Sequence, residues 1–217
     1  MRAAVWHPVA ASHELQAGSN IVASFLQGAE LALWRTPKGA PQAWDNRCPH
    51  RSVRLTLGQV VGDRLSCAYH GWQFEAGSGA CAGIPAHPQL SPPRHVCVKT
   101  WRVADAAGMV WVNPVADSRE AAPADAVPAG LHFCRTLSVT APLAALPATL
   151  QAVGWQPQGE PGGAWLHEGL QALALPLDAQ TQMAMLHVWT AAAPASAGMA
   201  ALHAALCRLR QQAEEAA

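Results

Sequence analysis

Short runs of alternating apolar and polar residues, broken by turn-forming residues, dominate the first half of the chain. β-Branched and aromatic residues recur over residues 3–10 and 20–36, and the run Pro37-Lys38-Gly39 ends the second stretch. Alternation that stops at Gly and Pro is typical of strands separated by turns. The same pattern returns over residues 96–103 and 109–112. We therefore expect a small antiparallel β structure up to about residue 115.

The second half has a different pattern. Residues 116–130 are rich in Ala, Pro and acidic residues and lack apolar periodicity, which predicts a linker. Beyond it we expect a strand over residues 131–140, a short helix over 144–153, and a loop over 154–163. Residues 170–190 are predicted to form a hairpin, whose two strands are separated by Asp178-Ala179-Gln180.

The chain ends in a predicted amphipathic helix over residues 197–216. Leu202, Leu206 and Leu209 stand at helical spacing, so this apolar stripe is expected to pack on the hairpin. The expected architecture is a mainly β domain over residues 1–115, the linker over 116–130, and a small α+β domain over 131–217.

The composition limits the classes of function that the chain can have. Hydrophobic residues make up 51% of the 217 residues and charged residues 13%, which fits a globular protein with a sizeable core. The formal net charge is zero, so no overall field favours nucleic acid or an anionic membrane surface. No apolar run approaches the length of a membrane span, and the first residues lack the apolar core of a signal peptide. A cytoplasmic location is expected.

Two short motifs carry the chemistry: Cys48-Pro49-His50 and Cys67-Ala68-Tyr69-His70. A [2Fe-2S] cluster is usually held by four thiolates, but in a Rieske centre two imidazoles replace two thiolates on one iron. Neutral imidazole donates less negative charge, so the reduction potential rises into the range of roughly −150 to +300 mV. Two Cys and two His also suit tetrahedral zinc, yet zinc motifs usually separate paired ligands by at least two residues, whereas only Pro49 separates Cys48 from His50.

These motifs lie within a longer pattern of residues. Its members are Asp45-Asn46-Arg47-Cys48-Pro49-His50-Arg51, Leu55, Leu57-Gly58, Gly62-Asp63, Cys67-Ala68-Tyr69-His70-Gly71-Trp72-Gln73-Phe74 and Ile84-Pro85-Ala86, with Trp6-His7-Pro8-Val9-Ala10 upstream and Gly108-Met109-Val110-Trp111-Val112 downstream. Over about residues 5–115 the pattern resembles the Rieske domain of bacterial ring-hydroxylating and demethylating oxygenases.

The resemblance implies small antiparallel sheets with two cluster-binding hairpin loops. It also implies a Rieske [2Fe-2S] cluster held by Cys48, His50, Cys67 and His70. The Rieske proteins of respiratory and photosynthetic complexes are the nearest competitors, and in them a disulfide links the two loops. Val53 and Tyr69 occupy the corresponding positions here, which favours the oxygenase type.

The second half lacks the signature of the family's catalytic iron. That iron is implied to sit on two His and one carboxylate, with the two His recognised as a pair five residues apart. The four His of this half are too far apart in sequence to form such a pair: His132, His167, His187 and His203. His167, Glu168, His187 and Asp178 could converge in space, although the strand pattern around His187 favours a packed side chain. We therefore expect no mononuclear iron and interpret this half as a shortened oxygenase domain.

Two functions follow from the resemblance. The first is an electron-transfer protein or subunit that passes single electrons from a reductase or ferredoxin to an oxygenase-type acceptor. The alternative is a terminal oxygenase, a hydroxylase or demethylase, with an atypical or partner-supplied iron. A structural or redox-sensing subunit is a third possibility. The sequence does not settle whether the chain is itself an enzyme, and it leaves the oligomeric state open.

Several residues near the cluster motifs are candidates for supporting roles. Ser66 and Tyr69 are candidate hydrogen-bond donors to the cluster, and Trp72 is expected to cover it. The remaining thiols are expected to be buried rather than bridged; they are Cys81, Cys97, Cys134 and Cys207. A group of arginines is a candidate basic rim that steers an acidic redox partner; its members are Arg47, Arg51, Arg54 and Arg64.

Overall fold

A computed structural model of the chain describes residues 6–93, 95–115, 119, 121, 127–158, 163–192 and 197–217. The chain forms two compact units. The first comprises Met1–Phe25 and Ala29–Ala122, and the second comprises Leu26–Gly28 and Pro123–Ala217. The linker expected over residues 116–130 falls mostly outside the described residues, so the three-part division stays a prediction.

The described residues of the first unit form ten strands in two antiparallel sheets. The six-stranded sheet has the order β1-β10-β9-β4-β3-β2, and the four-stranded sheet has the order β5-β6-β7-β8. The strands are β1 (His7–Ala11), β2 (Ile21–Leu26), β3 (Ala29–Arg35), β4 (Pro41–Asp45), β5 (Gln59–Val61), β6 (Arg64–Ser66), β7 (Gln73–Glu75), β8 (Cys81–Gly83), β9 (Thr100–Ala106) and β10 (Met109–Asn113).

One apolar core of this unit contains the cysteines of both motifs. Trp34 on β3 and Trp44 on β4 are diagonal neighbours on the paired strands, since Trp34 lies opposite Gln42; their ring centroids are 5.0 Å apart in a T-shaped contact. Both are fully buried. The same apolar cluster contains Leu55, Leu65, Phe74, Cys48 and Cys67. The motif cysteines are therefore part of the packed interior.

The second unit is a five-stranded antiparallel sheet of order β11-β15-β14-β13-β12 with two helices. Its core includes Leu202, Leu206 and Leu209, which confirms the predicted apolar stripe. Among the described residues, no helix is both long and apolar enough to cross a membrane. The elements are β11 (His132–Val139), α1 (Leu146–Ala152), β12 (Gln156–Gln158), β13 (Ala164–His167), β14 (Ala172–Gln180), β15 (Met183–Thr190) and α2 (Ala197–Glu215).

The expected fold class is confirmed: a mainly β first part and a small α+β second part that ends in an amphipathic helix. One detail of it is wrong. The second motif does close a hairpin, because β6 pairs with β7. The first motif instead connects β4 of the larger sheet to β5 of the smaller one. A connection between two sheets has the same turn residues as a hairpin, so the local pattern does not distinguish them.

Two expectations for the second unit also need correction. The hairpin turn falls at Thr181 and Gln182, because Asp178 and Gln180 still pair with β15 across a bulge. The loop expected over residues 154–163 contains β12, and residues 159–162 lie outside the described part. All three β12 residues are exposed, and Pro157 is one of them, so the strand has no apolar alternation to detect. Proline is tolerated there because β12 is an edge strand.

A partly buried ion pair fixes the start of the first unit to its large sheet. The guanidinium of Arg35 on β3 pairs with the carboxylate of Asp105 on β9. It also donates to the Leu15 carbonyl at 3.1 Å, the Gly39 carbonyl at 3.0 Å and the Ser12 hydroxyl at 2.8 Å. The Arg35 side chain is 10% exposed and that of Asp105 is 34% exposed. One side chain thus satisfies acceptors from three separate segments: residues 12–15, Gly39 and Asp105.

We expect Arg35→Ala to lower the free energy of unfolding by about 2–4 kcal/mol. The substitution leaves several acceptors and a half-buried carboxylate without their donor. Arg54→Ala is the matched control, since Arg54 pairs with Glu30 at 2.9 Å but its side chain is 63% exposed. That variant should lose less than about 1 kcal/mol. Urea unfolding measures both values, and equal losses would contradict the account.

Candidate metal centre

The first motif is held in a tight turn. The Ser52 amide donates to the Cys48 carbonyl at 2.8 Å, and the Cys48 amide donates to the Val53 carbonyl at 2.9 Å. Ser52 has φ of +57°, a left-handed conformation that is strained for a residue other than glycine. Asn46, fully buried, anchors the entry to the turn: its side chain accepts from the Thr56 amide at 2.8 Å. The part that Ser52 and Asn46 play in this turn was not predicted from the sequence.

The second motif closes the β6–β7 hairpin. The Cys67 amide donates to the Trp72 carbonyl at 2.9 Å, and the Gly71 amide donates to the Cys67 carbonyl at 3.0 Å. Gly71 has φ of +68°, which explains a glycine at this position. The Ser66 hydroxyl donates to the Gly71 carbonyl at 3.3 Å. The hydroxyl is thus used within the loop, and its expected role as a donor to the cluster stays a prediction.

The two loops bring the four candidate ligands together in pairs. Cys48 is 1% exposed and Cys67 is 4% exposed, whereas His50 is half-buried and His70 is exposed. The Nδ1 atoms of His50 and His70 are 3.2 Å apart. Nitrogen ligands lie about 2.0–2.1 Å from a transition metal such as zinc, so two on one ion are at most about 4.2 Å apart. The imidazole pair fits one metal ion, and the thiols form a separate pair deeper in the core.

The electrostatics of the two pairs differ. Burial raises the pKa of the Cys48 thiol to about 11, and the neighbouring Cys67 adds to the effect. Thiolates at this position therefore need a compensating positive charge, which a metal ion supplies. The pKa of His50 is lowered, first by desolvation and then by the charges of His70 and Arg51. A lowered pKa favours the neutral imidazole, which is the form that binds metal.

Each imidazole is covered by an aromatic ring from the second loop. The Trp72 ring stacks on His50, with centroids 4.3 Å apart and planes 10° apart. The Tyr69 ring contacts His70, with centroids 3.8 Å apart and planes 33° apart. Tyr69 is 60% exposed, while Trp72 is half-buried. Trp72 is expected to cover the cluster, and its ring lies on the His50 imidazole.

Comparison with known proteins decides the kind of centre. Residues 5–102 match the family described as the Rieske [2Fe-2S] domain. This chain contains a Rieske [2Fe-2S] domain. Such a domain binds a [2Fe-2S] cluster, so the cofactor expected from the sequence is confirmed. The resemblance to Rieske non-haem iron oxygenases is confirmed as well.

The Rieske domain is shared with oxygenase-type proteins. The oxidoreductase NdmD of Pseudomonas putida is 38% identical over 134 residues, which are 58% of this chain and 23% of NdmD. The oxygenase subunit of 3-chlorobenzoate-3,4-dioxygenase from Comamonas testosteroni is 42% identical over 108 residues, which are 49% of this chain and 25% of that subunit. The chain thus spans about a quarter of the length of these curated relatives.

Solved structures extend the likeness of fold beyond the Rieske domain. Apo dicamba monooxygenase superposes with a TM-score of 0.74 at 18% identity, covering 97% of this chain and 85% of that one. The Pseudomonas putida CBB5 protein NdmA with caffeine gives a TM-score of 0.66 at 18% identity, covering 96% of this chain and 79% of NdmA. At this level of identity the likeness concerns the fold alone.

The four arginines of the candidate basic rim differ in their contacts. Arg54 pairs with Glu30, and the Arg64 guanidinium donates to the Gln73 side chain at 3.2 Å. Arg47 and Arg51 are exposed, and neither makes an ion pair or a side-chain hydrogen bond with a described residue. Arg47, Arg51 and Arg64 therefore have no ion-pair partner among the described residues, and of these Arg47 and Arg51 are exposed.

The histidines of the second unit have separate surroundings. His187 is fully buried, as expected, and its Nδ1 lies 2.8 Å from the Thr136 hydroxyl. His167 accepts from the Leu170 amide at 3.2 Å and packs edge-on against Trp155. His203 lies 2.8 Å from the Arg135 guanidinium. Within the described ranges, no group of three or more His, Cys, Asp or Glu side chains is placed to hold a metal ion. The expectation of no mononuclear iron stays a prediction.

The remaining cysteines are free thiols, as expected, but not all of them are buried. Cys81 and Cys134 are partly buried, whereas Cys97 and Cys207 are exposed. The expectation of burial is therefore wrong for the last two. Cys207 lies on the solvent side of α2, away from the buried leucine stripe, and Cys97 lies outside the named strands, in an isolated bridge to Ala80.

We expect Trp72→Leu to shorten the lifetime of the cluster at the Rieske centre, and Trp72→Phe to preserve it. The stacked indole holds the His50 ring, and an aromatic pair of this kind contributes about 0.5–1.5 kcal/mol. Cluster loss should accelerate about two- to tenfold in the leucine variant. Decay of the visible absorbance under a chelator measures it. If the leucine variant decays at the wild-type rate, the stack does not hold the ligand.

Proposed function

We propose that the chain is a one-electron carrier whose whole chemistry is its Rieske cluster. Cys48 and Cys67 would hold one iron as thiolates, and His50 and His70, whose Nδ1 atoms lie 3.2 Å apart, would hold the other. The observation that carries the proposal is the exposure gradient across the four ligands: the thiols lie in the core, and the imidazole edge of His70 reaches the surface. When bound, the cluster accepts and returns single electrons.

The protein's own residues set the conditions for that exchange. The core around Cys48 and Cys67 excludes water from the sulfurs, and the turns at Ser52 and Gly71 keep both loops in place. A rigid site needs little rearrangement when its charge changes by one. The exposed His70 side offers a partner protein the shortest approach.

The partners that suit this role are a reductase or ferredoxin as donor and an oxygenase-type protein as acceptor. Relatives that share the domain include an oxidoreductase and an oxygenase subunit, which supports a place in such a system. A cytoplasmic location, no nucleic-acid partner and the ligand assignment itself are parts of the same proposal.

One observation favours the alternative of a terminal oxygenase. The fold is similar to dicamba monooxygenase over nearly the whole chain, including the second unit. That activity requires an iron on two His and one carboxylate with open positions for oxygen. The carrier is the better-supported proposal, because three of the four described second-unit histidines, His167, His187 and His203, are engaged in separate local contacts.

Oxygen uptake separates the two functions. We expect the purified holoprotein, with a reducing system and caffeine, dicamba or 3-chlorobenzoate, to consume no oxygen beyond the substrate-free rate. Adding a complete oxygenase deprived of its own electron supply should start consumption. Substrate-dependent uptake and product formation by the chain alone would overturn the carrier proposal.

We expect Arg47→Gln and Arg51→Gln together to slow reduction by an acidic plant-type ferredoxin about three- to tenfold at low salt. The two uncompensated charges steer an acidic partner, and salt screens that attraction. The rate should therefore depend less on ionic strength in the double variant. Arg54→Gln is the control, because its charge is already paired with Glu30. An unchanged salt slope in the double variant would refute steering by this pair.

A further inference from the structure

Two large apolar side chains are exposed beside the cluster loops. Leu57 is 66% exposed and Tyr69 is 60% exposed. Leu57 ends a 3₁₀ turn, Leu55–Leu57, that follows the first loop, and Tyr69 precedes His70 in the second loop. Large apolar side chains left in water next to a functional centre are typical of a contact surface.

A shallow groove lies next to Leu57. Its volume is about 320 Å³. One wall is the turn at Leu57 and the other is the backbone of the second ligand loop. The residues that line it include Leu57, Gly58, Gln59, Cys67, Ala68 and Gly71.

The position of Leu57 relative to the second loop is fixed by close backbone packing. A Cβ on Gly58 would lie 2.2 Å from the Ser66 carbonyl oxygen, so only glycine permits this approach. Leu55, two residues earlier, is fully buried in the core that contains both motif cysteines. Leu57 is therefore presented on a rigid support, and its exposure is a feature of the fold.

The first ligand loop carries two exposed arginines, one on each side of its motif. Arg47 and Arg51 are exposed, with no ion-pair partner among the described residues, whereas the nearby Arg54 is neutralised by Glu30. A complementary surface is apolar at its centre and acidic around it. An open groove of this shape encloses too little of a small molecule to bind it well, so a protein fits better.

We propose that Leu57, Tyr69 and the groove beside Leu57, the Leu57–Tyr69 surface, form the docking site for an acidic one-electron carrier protein. The carrier places an apolar side chain in the groove and acidic side chains opposite Arg47 and Arg51. One electron then leaves the reduced carrier and enters the oxidised cluster near His70, and no bond is made or broken. This inference rests on the proposed electron-transfer function and names the partner's chemistry.

Charge substitutions at Leu57 test the site. The holoprotein is mixed with a chemically reduced acidic plant-type ferredoxin in a stopped-flow instrument, and the second-order rate constant is measured. Leu57→Glu should lower it at least tenfold, because it removes the apolar contact and repels the partner. Leu57→Lys loses only the contact and should lower it about threefold. The matched control is Val61→Glu, at the turn end of the β5–β6 hairpin and 42% exposed, which should stay within twofold.

Reduction by dithionite checks that each variant keeps an intact cluster, and it should be equal in all of them. Equal losses in Leu57→Glu and Val61→Glu would overturn the proposal, since only the overall charge would then matter. Equal losses in the Glu and Lys variants would exclude an acidic partner. A wild-type dimer in sedimentation that Leu57→Glu dissociates would also overturn it, because a second copy of the chain would occupy the surface.

Failure of the docking site and failure of the proposed function give different results. If ferredoxin reduces the wild type and every variant at one rate, the docking site is wrong and the carrier function stands. If the wild type takes up no electron from ferredoxin or dithionite, the electron-transfer function itself is wrong.

Discussion

The burial of two thiols in an apolar core is the constraint on which this structure depends. Cys48 and Cys67 pack with Leu55, Leu65 and Phe74, where an unpaired thiolate is strongly disfavoured and the pKa of Cys48 rises to about 11. Only a bound cation makes these side chains stable in the form that ligates metal. The histidine pair lies outward of them and needs no such compensation. With the thiols inside and the imidazoles at the surface, a cluster held by these four side chains would have one accessible side.

The two loops are held by backbone geometry as much as by packing. Ser52 and Gly71 both have positive φ, and each lies in a turn that returns the chain to its motif cysteine. Asn46, buried at the entry to the first loop, ties it to Thr56. The cluster site is thus formed by local turns on two rigid sheets.

Much of the fold and of the candidate site is predictable from the sequence, because the relevant signals are local. Residue type and spacing give the four candidate ligands, and the period of Leu202, Leu206 and Leu209 gives the terminal helix. The features that were not predicted depend on residues that are distant in the sequence. The exposed β12 is a strand only because β13 pairs with it. The pairing of Arg54 depends on Glu30, which is 24 residues away. The exposure of Leu57 follows from its place after the buried Leu55, which no periodicity reveals.

We propose that a Rieske cluster is the whole chemistry of this chain. Iron and acid-labile sulfide analysis combined with electron paramagnetic resonance tests this proposal, because the same sample reports the cluster and any mononuclear iron. We expect two irons and two sulfides per chain, with one Rieske-type signal that appears on one-electron reduction. A third iron per chain, with a resonance of its own in the oxidised protein, would show that the proposal is wrong.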